Sequence, residues 1–247
     1  MTASDAAPRF FVSEPFSASS TVTVGEDAAG HMRVLRIGPG SPVMLLDGQG
    51  TRAAGKVRTL GKRSATVEIE HVEAVPAPAD VHALVPIADR DRMLWFAEKA
   101  AELALTSWRP VMWKRSRSVT PRGEGSGFQR RVRARMASAI EQSANAWMPV
   151  IYPDAPLDRA LVALPAGARC VLDAGGEPIA SVLRSPCAPP VTLAVGPEGG
   201  FDESELSALA NAGFVRAALG PMTLRFETAG VVALAHARAV LAAAGGS

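Results

Sequence analysis

Val195-Gly196-Pro197-Glu198-Gly199-Gly200-Phe201 and Leu219-Gly220-Pro221-Met222-Thr223-Leu224-Arg225-Phe226-Glu227-Thr228-Ala229 are two junctions of one kind. Each leaves an apolar run with strand character (residues 191–195 and 215–219) and enters a helical one (203–212 and 228–244). In an α/β sheet such junctions lie on the edge where ligands bind. Gly196, Gly199 and Gly200 fall within five positions. They permit backbone shapes that a Cβ would block, and they let a ligand approach the main chain. The first loop lacks the Gly-Lys-Ser/Thr of a phosphate loop and the Gly-x-Gly-x-x-Gly spacing of a dinucleotide site. Asp202-Glu203-Ser204-Glu205 has the pattern of a capping box, with Asp202 as N-cap and Glu205 at the third helical position. In the second loop Arg225 and Glu227 place two charges at the junction, and Glu227 or Thr228 is suited to cap the next helix. Taken singly, a tight turn accounts for the glycines and a surface salt bridge for the charges.

The alternation extends outward from these loops. Residues 81–87 read as a buried strand, and 91–106 as a helix with Leu94, Ala97, Ala101 and Leu105 at helical spacing. Ser107-Trp108-Arg109-Pro110 ends that helix, and 111–113 form the next strand. A polar, glycine-rich loop comes next at 120–127. Residues 129–146 are helical, with Val132, Met136, Ala139 and Ile140 inward and the arginines outward. Residues 170–172 add another strand. Strands alternating with helices predict a mainly parallel sheet. Residues 8–72 differ. They hold Phe10-Phe11-Val12, then Val43-Met44-Leu45-Leu46 ahead of an Asp47-Gly48 turn. In 65–72, Ala65, Val67, Ile69 and His71 alternate with Thr66, Glu68 and Glu70. Short strands with glycine turns predict a small barrel. Val75-Pro76-Ala77-Pro78-Ala79 reads as a linker.

Composition sets the outer limits. A chain of 247 residues suits one large domain or two modest ones, and 48% hydrophobic residues can bury a sizeable core. Aromatics at 5%, with a single Tyr, allow few stacking platforms. A net charge of +2 does not by itself point to nucleic acid. Its distribution does: residues 109–135 hold nine Arg or Lys against Glu124, so +8 lies there and −6 over the rest. A concentrated basic stretch on a near-neutral chain suits a phosphate backbone, although a solvated helix face gives the same pattern. Cys170 and Cys187 make neither a disulfide framework nor a metal cluster and read as core thiols. The N-terminus lacks a basic region followed by an apolar run. Residues 229–244, interrupted by His236 and Arg238, read as too short to span a bilayer. A soluble cytoplasmic protein without a metal is expected.

Together the two loops resemble the knot motifs of the SPOUT methyltransferases, particularly the RsmE family, which methylates N3 of a uridine in 16S ribosomal RNA. The family pattern is Gly-Pro-Glu-Gly-Gly-Phe followed by Leu-Gly-x-x-Ile-Leu-Arg-x-Glu-Thr-Ala. It is matched by residues 196–201 and by Leu219, Gly220, Leu224, Arg225, Glu227, Thr228 and Ala229. Further matches span nearly the whole chain: Arg9-Phe10-Phe11, residues 31–36 with Asp47-Gly48, Lys99-Ala100-Ala101-Glu102-Leu103, and Glu141-Gln142-Ser143 with Pro149. Three positions depart. Ala104 replaces a usual Gly, Asn145 stands where an Arg usually follows, and Phe226 replaces a common Thr.

The resemblance implies an α/β fold of SPOUT type, a parallel sheet with helices and a trefoil knot near the C-terminus, preceded by a PUA-like β-barrel that grips RNA. The barrel would take residues 1–73 and the methyltransferase domain 80–247. True knots are rare, and periodicity reveals none. The resemblance further implies a homodimer, S-adenosylmethionine as cofactor, and 16S rRNA or the small ribosomal subunit as partner. Leu172, Gly196, Pro197, Glu198, Gly199, Gly200, Leu219, Gly220, Met222 and Leu224 are the candidate cofactor residues. Arg225, Glu198 and Glu227 are the candidate catalytic residues. A uracil N3 is a poor nucleophile until it loses its proton, so an Arg would steady the resulting charge and a carboxylate would take the proton. Arg9, Arg33, Arg36, Arg115, Arg117, Arg130 and Arg131 are the candidate RNA contacts. Two alternatives stay open: a related SPOUT enzyme with another RNA target, and an RNA-binding assembly factor without turnover.

Overall fold

Apolar residues at alternate positions build the first part of the computed structural model, which describes residues 7–13, 16–116, 125–184 and 187–245. Strands β1 (Arg9–Phe11), β2 (Thr21–Val24), β3 (Pro42–Leu46), β4 (Thr51–Leu60) and β5 (Ala65–Ala74) form one sheet, ordered β1-β3-β4-β5-β2. β1 runs parallel to β3, and the other pairs are antiparallel. They enclose a core that includes Phe10, Leu45, Val67 and Ile69. The alternation predicted along β5 stops at Glu70. Ala54 pairs with His71 but Gly55 pairs with Ile69, so Glu70 is an extra residue. This bulge turns His71 outward instead of inward. Helix α1 (Glu26–Val34) interrupts the strands and was not expected from the residue pattern. Only Ala29 and Met32 of it are buried, too few for a legible stripe.

By internal packing the chain divides into two units, Met1–Ala77 with Ala137–Met148, and Pro78–Met136 with Pro149–Ser247. The returning segment is tied into the first unit by hydrogen bonds. Glu141 Oε1 accepts from the Phe11 amide at 2.7 Å, and Trp147 Nε1 donates to the Val75 carbonyl at 3.2 Å. Burial raises the Glu141 carboxyl above its ordinary range, with the Phe11 N–H opposing. Asn145, one of the three departures from the family pattern, closes a local turn through two 3.0 Å bonds with the Trp147 main chain.

The second unit contains β6 (Val81–Pro86), α2 (Arg90–Glu102), β7 (Ser107–Val111) and most of α3 (Gly125–Ser143). After these come β8 (Val150–Ile151), α4 (Leu157–Val162), β9 (Ala168–Pro178) and α5 (Ile179–Val182). β10 (Val191–Ala194), α6 (Glu203–Asn211), β11 (Val215–Ala218) and α7 (Phe226–Gly245) complete it. The sheet order is β11-β9-β10-β6-β7-β8, and every pairing is parallel. β6 and β10 are buried along their whole length, as parallel strands covered on both faces must be.

Several boundaries differ from those expected of the sequence. The strand expected at 111–113 lies at Ser107–Val111, because Trp108 and Arg109 pair with Ala83 and Leu84 and Trp108 packs 5.1 Å from the Phe96 ring. α2 therefore ends at Glu102, and Ala104 takes a left-handed φ of 55°, the conformation that favours the glycine it replaces. The loop expected at 120–127 lies partly outside the described residues. α7 is longer than expected: Phe226–Ala244 has the length and apolarity to cross a membrane, so the stretch is not too short. In this fold it packs on α2, β6 and β10, with Ala233, Leu234, Ala237 and Leu241 buried. Its Arg238 donates to the carbonyls of Leu103, Ala104 and Ala79, satisfying the end of α2. Cys170 is a core thiol, pushed up to about 12 by burial, whereas Cys187 is only half buried and not part of the core.

Candidate active site

The C-terminal ends of β10 and β11 and the middle of β9 open onto a cavity of about 590 Å³ in the second unit. That volume is within the usual range for small-molecule sites. Nine of the ten expected cofactor residues line it: Leu172, Gly196, Pro197, Glu198, Gly200, Leu219, Gly220, Met222 and Leu224. Arg225 lines it as well. Gly200 and Gly220 have φ of 70° and 143°, and no atom lies within 4 Å of where a Cβ would stand. Both present bare backbone to the cavity.

Gly199, the tenth residue, is absent from this wall. A Cβ there would stand 2.9 Å from the Arg115 carbonyl oxygen, so it is glycine to let two stretches of chain pass closely. Gly196 is pressed by the Phe201 ring, with 2.7 Å to a Cβ, and that ring lies edge-on to Trp113 at 4.9 Å. The capping box forms as read. Asp202 accepts from the Ser204 amide, and Glu205 Oε2 accepts from the Asp202 amide at 2.8 Å. Glu205 Oε1 also accepts from the Lys114 amide at 2.7 Å, tying the chain beyond β7 to α6. Hydrogen bonds from the Ser204 hydroxyl and amide, with Lys114 adding to them, hold the Asp202 carboxyl down to about 2.

The second loop has a different anchor. α7 starts at Phe226, and the Ala229 amide donates to the Arg225 carbonyl, so Glu227 and Thr228 lie in the first turn and neither is the cap. Glu227 does not line the main cavity. It walls a second one of about 340 Å³ with Asp91, Arg92, Trp95 and Thr228. Arg92 lines both cavities. Its Nη1 is paired with Glu198, and its Nε lies 3.9 Å from Glu227 Oε1. The two candidate carboxylates thus stand on either side of one guanidinium.

Sequence reasoning missed Arg92 and Trp95, which wall these cavities. The signal for Arg92 was the one used for Arg225, a charge just past a strand and at the start of a helix. Asp89 caps that helix, accepting from the Asp91 and Arg92 amides. Asp173 lines the main cavity, and its Oδ1 takes hydrogen bonds from Arg216 and the Gly175 amide.

The candidate RNA contacts are distributed over both units. In the first, Arg9 is half buried on β1 and Arg36 is exposed with φ of 57°. Arg33 spends its Nη1 on the carbonyls of Gly61 and Lys62, at 2.8 and 2.7 Å. In the second, Arg115, Arg130 and Arg131 are exposed, with Arg131 5.9 Å from the Phe128 ring centre. Arg117 lies outside the described residues. The basic stretch is narrower than its count suggests. Arg109 is buried and stacks on Tyr152 at 3.5 Å, Lys114 is held by Asp202 and Ser204, and Arg135 faces Glu98 at 3.4 Å.

Comparison with known proteins identifies the family. A profile described as RNA methyltransferase domain matches residues 75–238, and one described as RNA methyltransferase PUA domain matches 24–70. The chain belongs to this family of RNA methyltransferases. It is 31% identical to the ribosomal RNA small subunit methyltransferase E of Mycobacterium bovis, with 89% of this chain and 86% of that one covered. The Synechocystis protein of the same name is 29% identical, covering 85% and 69%. Among solved structures, the small subunit methyltransferase E of Neisseria gonorrhoeae, bound to S-adenosyl methionine, superposes with a TM-score of 0.83. It is 28% identical and covers 93% of this chain and 95% of that one. The fold is therefore the SPOUT α/β type with a PUA-like first unit.

Proposed function

We propose that the second unit transfers the methyl group of S-adenosylmethionine to N3 of a uridine in 16S ribosomal RNA of the small subunit. We assign it the cytoplasm, a homodimeric state and a trefoil-knotted chain between β9 and α7. The single observation that carries the catalytic reading is the cavity at the ends of β10 and β11 beside the middle of β9, walled by two glycine loops and edged by Arg225. Its residues suit the cofactor. Gly200 and Gly220 offer open backbone where a Cβ would intrude on an adenosine, and Leu172, Leu219 and Leu224 give apolar walls. The bound cofactor supplies an electrophilic sulfonium methyl.

This chain's own residues supply the rest. Arg225 meets the charge that develops on the uracil carbonyl oxygens as N3 loses its proton. Its guanidinium acts in the transition state more than in the ground state, which is where an interaction accelerates a reaction. Glu198 is engaged by Arg92 and braces the loop. Exposed Arg115, Arg130 and Arg131, with Arg9, Arg33 and Arg36 of the first unit, attract phosphate.

Two measurements test this. Calorimetry with S-adenosylmethionine in the presence of a chelator should give one site per chain. Incubation with small-subunit RNA or particles followed by nucleoside analysis should yield N3-methyluridine. A protein that binds the cofactor but makes another methylated nucleoside has a different RNA target. One that binds RNA and never methylates it is an assembly factor.

A further inference from the structure

Cations are distributed unevenly over the first unit. Along β4 and β5 they are paired across the strands, Arg52 with Glu73, Lys56 with Glu70 and Arg58 with Glu68. Each of those pairs is neutral. The turn that joins the two strands differs. Lys62 and Arg63 are exposed there and form no ion pair among the described residues. Arg33 reaches the same turn from the end of α1, where its Nη1 donates to the carbonyls of Gly61 and Lys62 at 2.8 and 2.7 Å. The Gly61 amide closes the turn from within, on the Ser64 carbonyl at 2.8 Å. Arg36, whose amide donates to the Arg33 carbonyl, is likewise exposed and unpaired among the described residues. Four cations thus gather at one corner, and two of them ride on a turn whose backbone is held.

We propose that this corner grips the sugar–phosphate backbone of a double-stranded stretch of the RNA substrate, with Lys62 and Arg63 as contacts and Arg33 as the positioning residue that holds their turn. The inference rests on the RNA methyltransferase reading above. It adds which side chains of the first unit meet the RNA and what form the RNA has there. Charge selects a phosphate backbone, since unpaired cations are drawn to it and paired ones are not.

Two observations favour a duplex. Residues 26–37 and 56–70 contain no Phe, Tyr or Trp. Single strands are bound through aromatic side chains on which their bases stack. The corner lacks that means and keeps only the charge. The turn is also fixed before binding, and fixed cations suit phosphates whose spacing a helix has fixed. Duplex RNA is recognised mostly by shape and by phosphate and 2′-hydroxyl contacts. A turn already held by Arg33 loses little freedom when RNA arrives, which is how preorganisation adds affinity.

The test measures the affinity of the full chain for two fragments of small-subunit RNA of equal length, one duplex and one single-stranded, as salt is varied. Each phosphate contact adds about 0.9 to the slope of log affinity against log salt. Lys62→Ala combined with Arg63→Ala should flatten the slope on the duplex by about 2, so that its deficit against the wild type shrinks about 10-fold between about 50 and 200 mM salt. The loss on the single strand should be smaller, and calorimetry should show unchanged cofactor affinity. Arg33→Gln alone should weaken duplex binding. Added to the double variant it should change little, because its effect passes through the two side chains already removed. A purely structural role would not move the salt slope.

An unchanged slope in the double variant overturns the inference. Equal losses on the two fragments overturn the duplex assignment. An additive effect of Arg33→Gln makes Arg33 a direct contact and overturns its positioning role. A double variant that binds both fragments like the wild type, yet loses affinity for whole subunits, puts a protein at this corner, against the exposed Val34 and Leu35. Each of these results leaves the enzymatic reading standing. A wild-type chain that binds neither fragment and no subunit overturns that reading, and this inference with it.

Discussion

The two loops that wall the main cavity share a Gly-Pro pair and are held in different ways. Around residues 196–202 nearly every side chain is committed. Phe201 is wedged between Gly196 and Trp113, Gly199 lies against Arg115, and Glu205 accepts from two backbone amides. Around 219–225 the side chains face outward, with Met222 76% and Leu224 37% exposed. The first loop is shaped by its own packing. The second is held by its ends, β11 before it and the first turn of α7 after it. Both loops wall one cavity, one fixed by its own packing and the other left open to solvent. Met222 is the hydrophobic side chain of the second loop that folding leaves most uncovered.

The sharpest way to break this comparison is to remove the charge from the uncovered loop. Arg225→Ala should leave thermal stability and cofactor affinity near wild type, because the side chain is exposed. Its single-turnover methylation rate should fall about 100- to 1000-fold, the usual loss for one donor that stabilises transition-state charge. Arg225→Lys keeps the charge and loses the planar fork, so it should not restore the full rate. Wild-type turnover in Arg225→Ala would remove the residue from catalysis and leave the second loop as a cofactor clamp only.

The committed loop should fail in the opposite sense. Glu205→Gln keeps the shape but turns one acceptor into a donor, so either the Lys114 or the Asp202 amide faces an N–H instead of an oxygen. Leaving a buried donor unsatisfied costs about 1–3 kcal/mol. The measurement is the denaturant midpoint. It should fall, and cofactor affinity should fall with it because the loop geometry depends on that helix start. An unchanged midpoint would mean that the loop is set by Phe201 packing alone.

How much of this was legible depended on whether the determinant is local. The parallel sheet, the ligand edge and the Asp202 capping box come from short stretches whose meaning does not depend on distant residues. So do most of the cavity-lining residues, given that the chain resembles a known family. The β5 bulge was hidden because the extra residue is defined by the partner strand, not by β5 itself. The early start of α7 was hidden because Thr228 and Glu227 looked like caps, whereas the Arg225 carbonyl begins the helix. Arg92 sits 106 residues before its partner Glu198, and no spacing rule links the two. The return of Ala137–Met148 to the first unit depends on bonds from Phe11 and Val75, equally remote in sequence.

The smallest expected effect is one of acidity, and it again separates the two loops. Asp202 in the first loop is held at about 2 by donors from Ser204 and then Lys114, against an ordinary carboxylate near 4. A carboxyl whose folded value is depressed adds stability above its unfolded value and loses it as the pH falls toward the folded one. The contribution is therefore complete above about pH 5 and fades between about pH 4 and 2. The side chain is exposed, so salt screens the Lys114 part while the two Ser204 bonds persist. Comparing thermal midpoints of the wild type and Asp202→Asn from pH 6 downward isolates it. The gap between them should be constant to about pH 5 and shrink below that, and the Asp202 carboxyl carbon should titrate in the same window. A gap that stays constant down to pH 2 would mean that Asp202 acts only through its shape, and that the start of α6 is fixed by Glu205 without help from the charge.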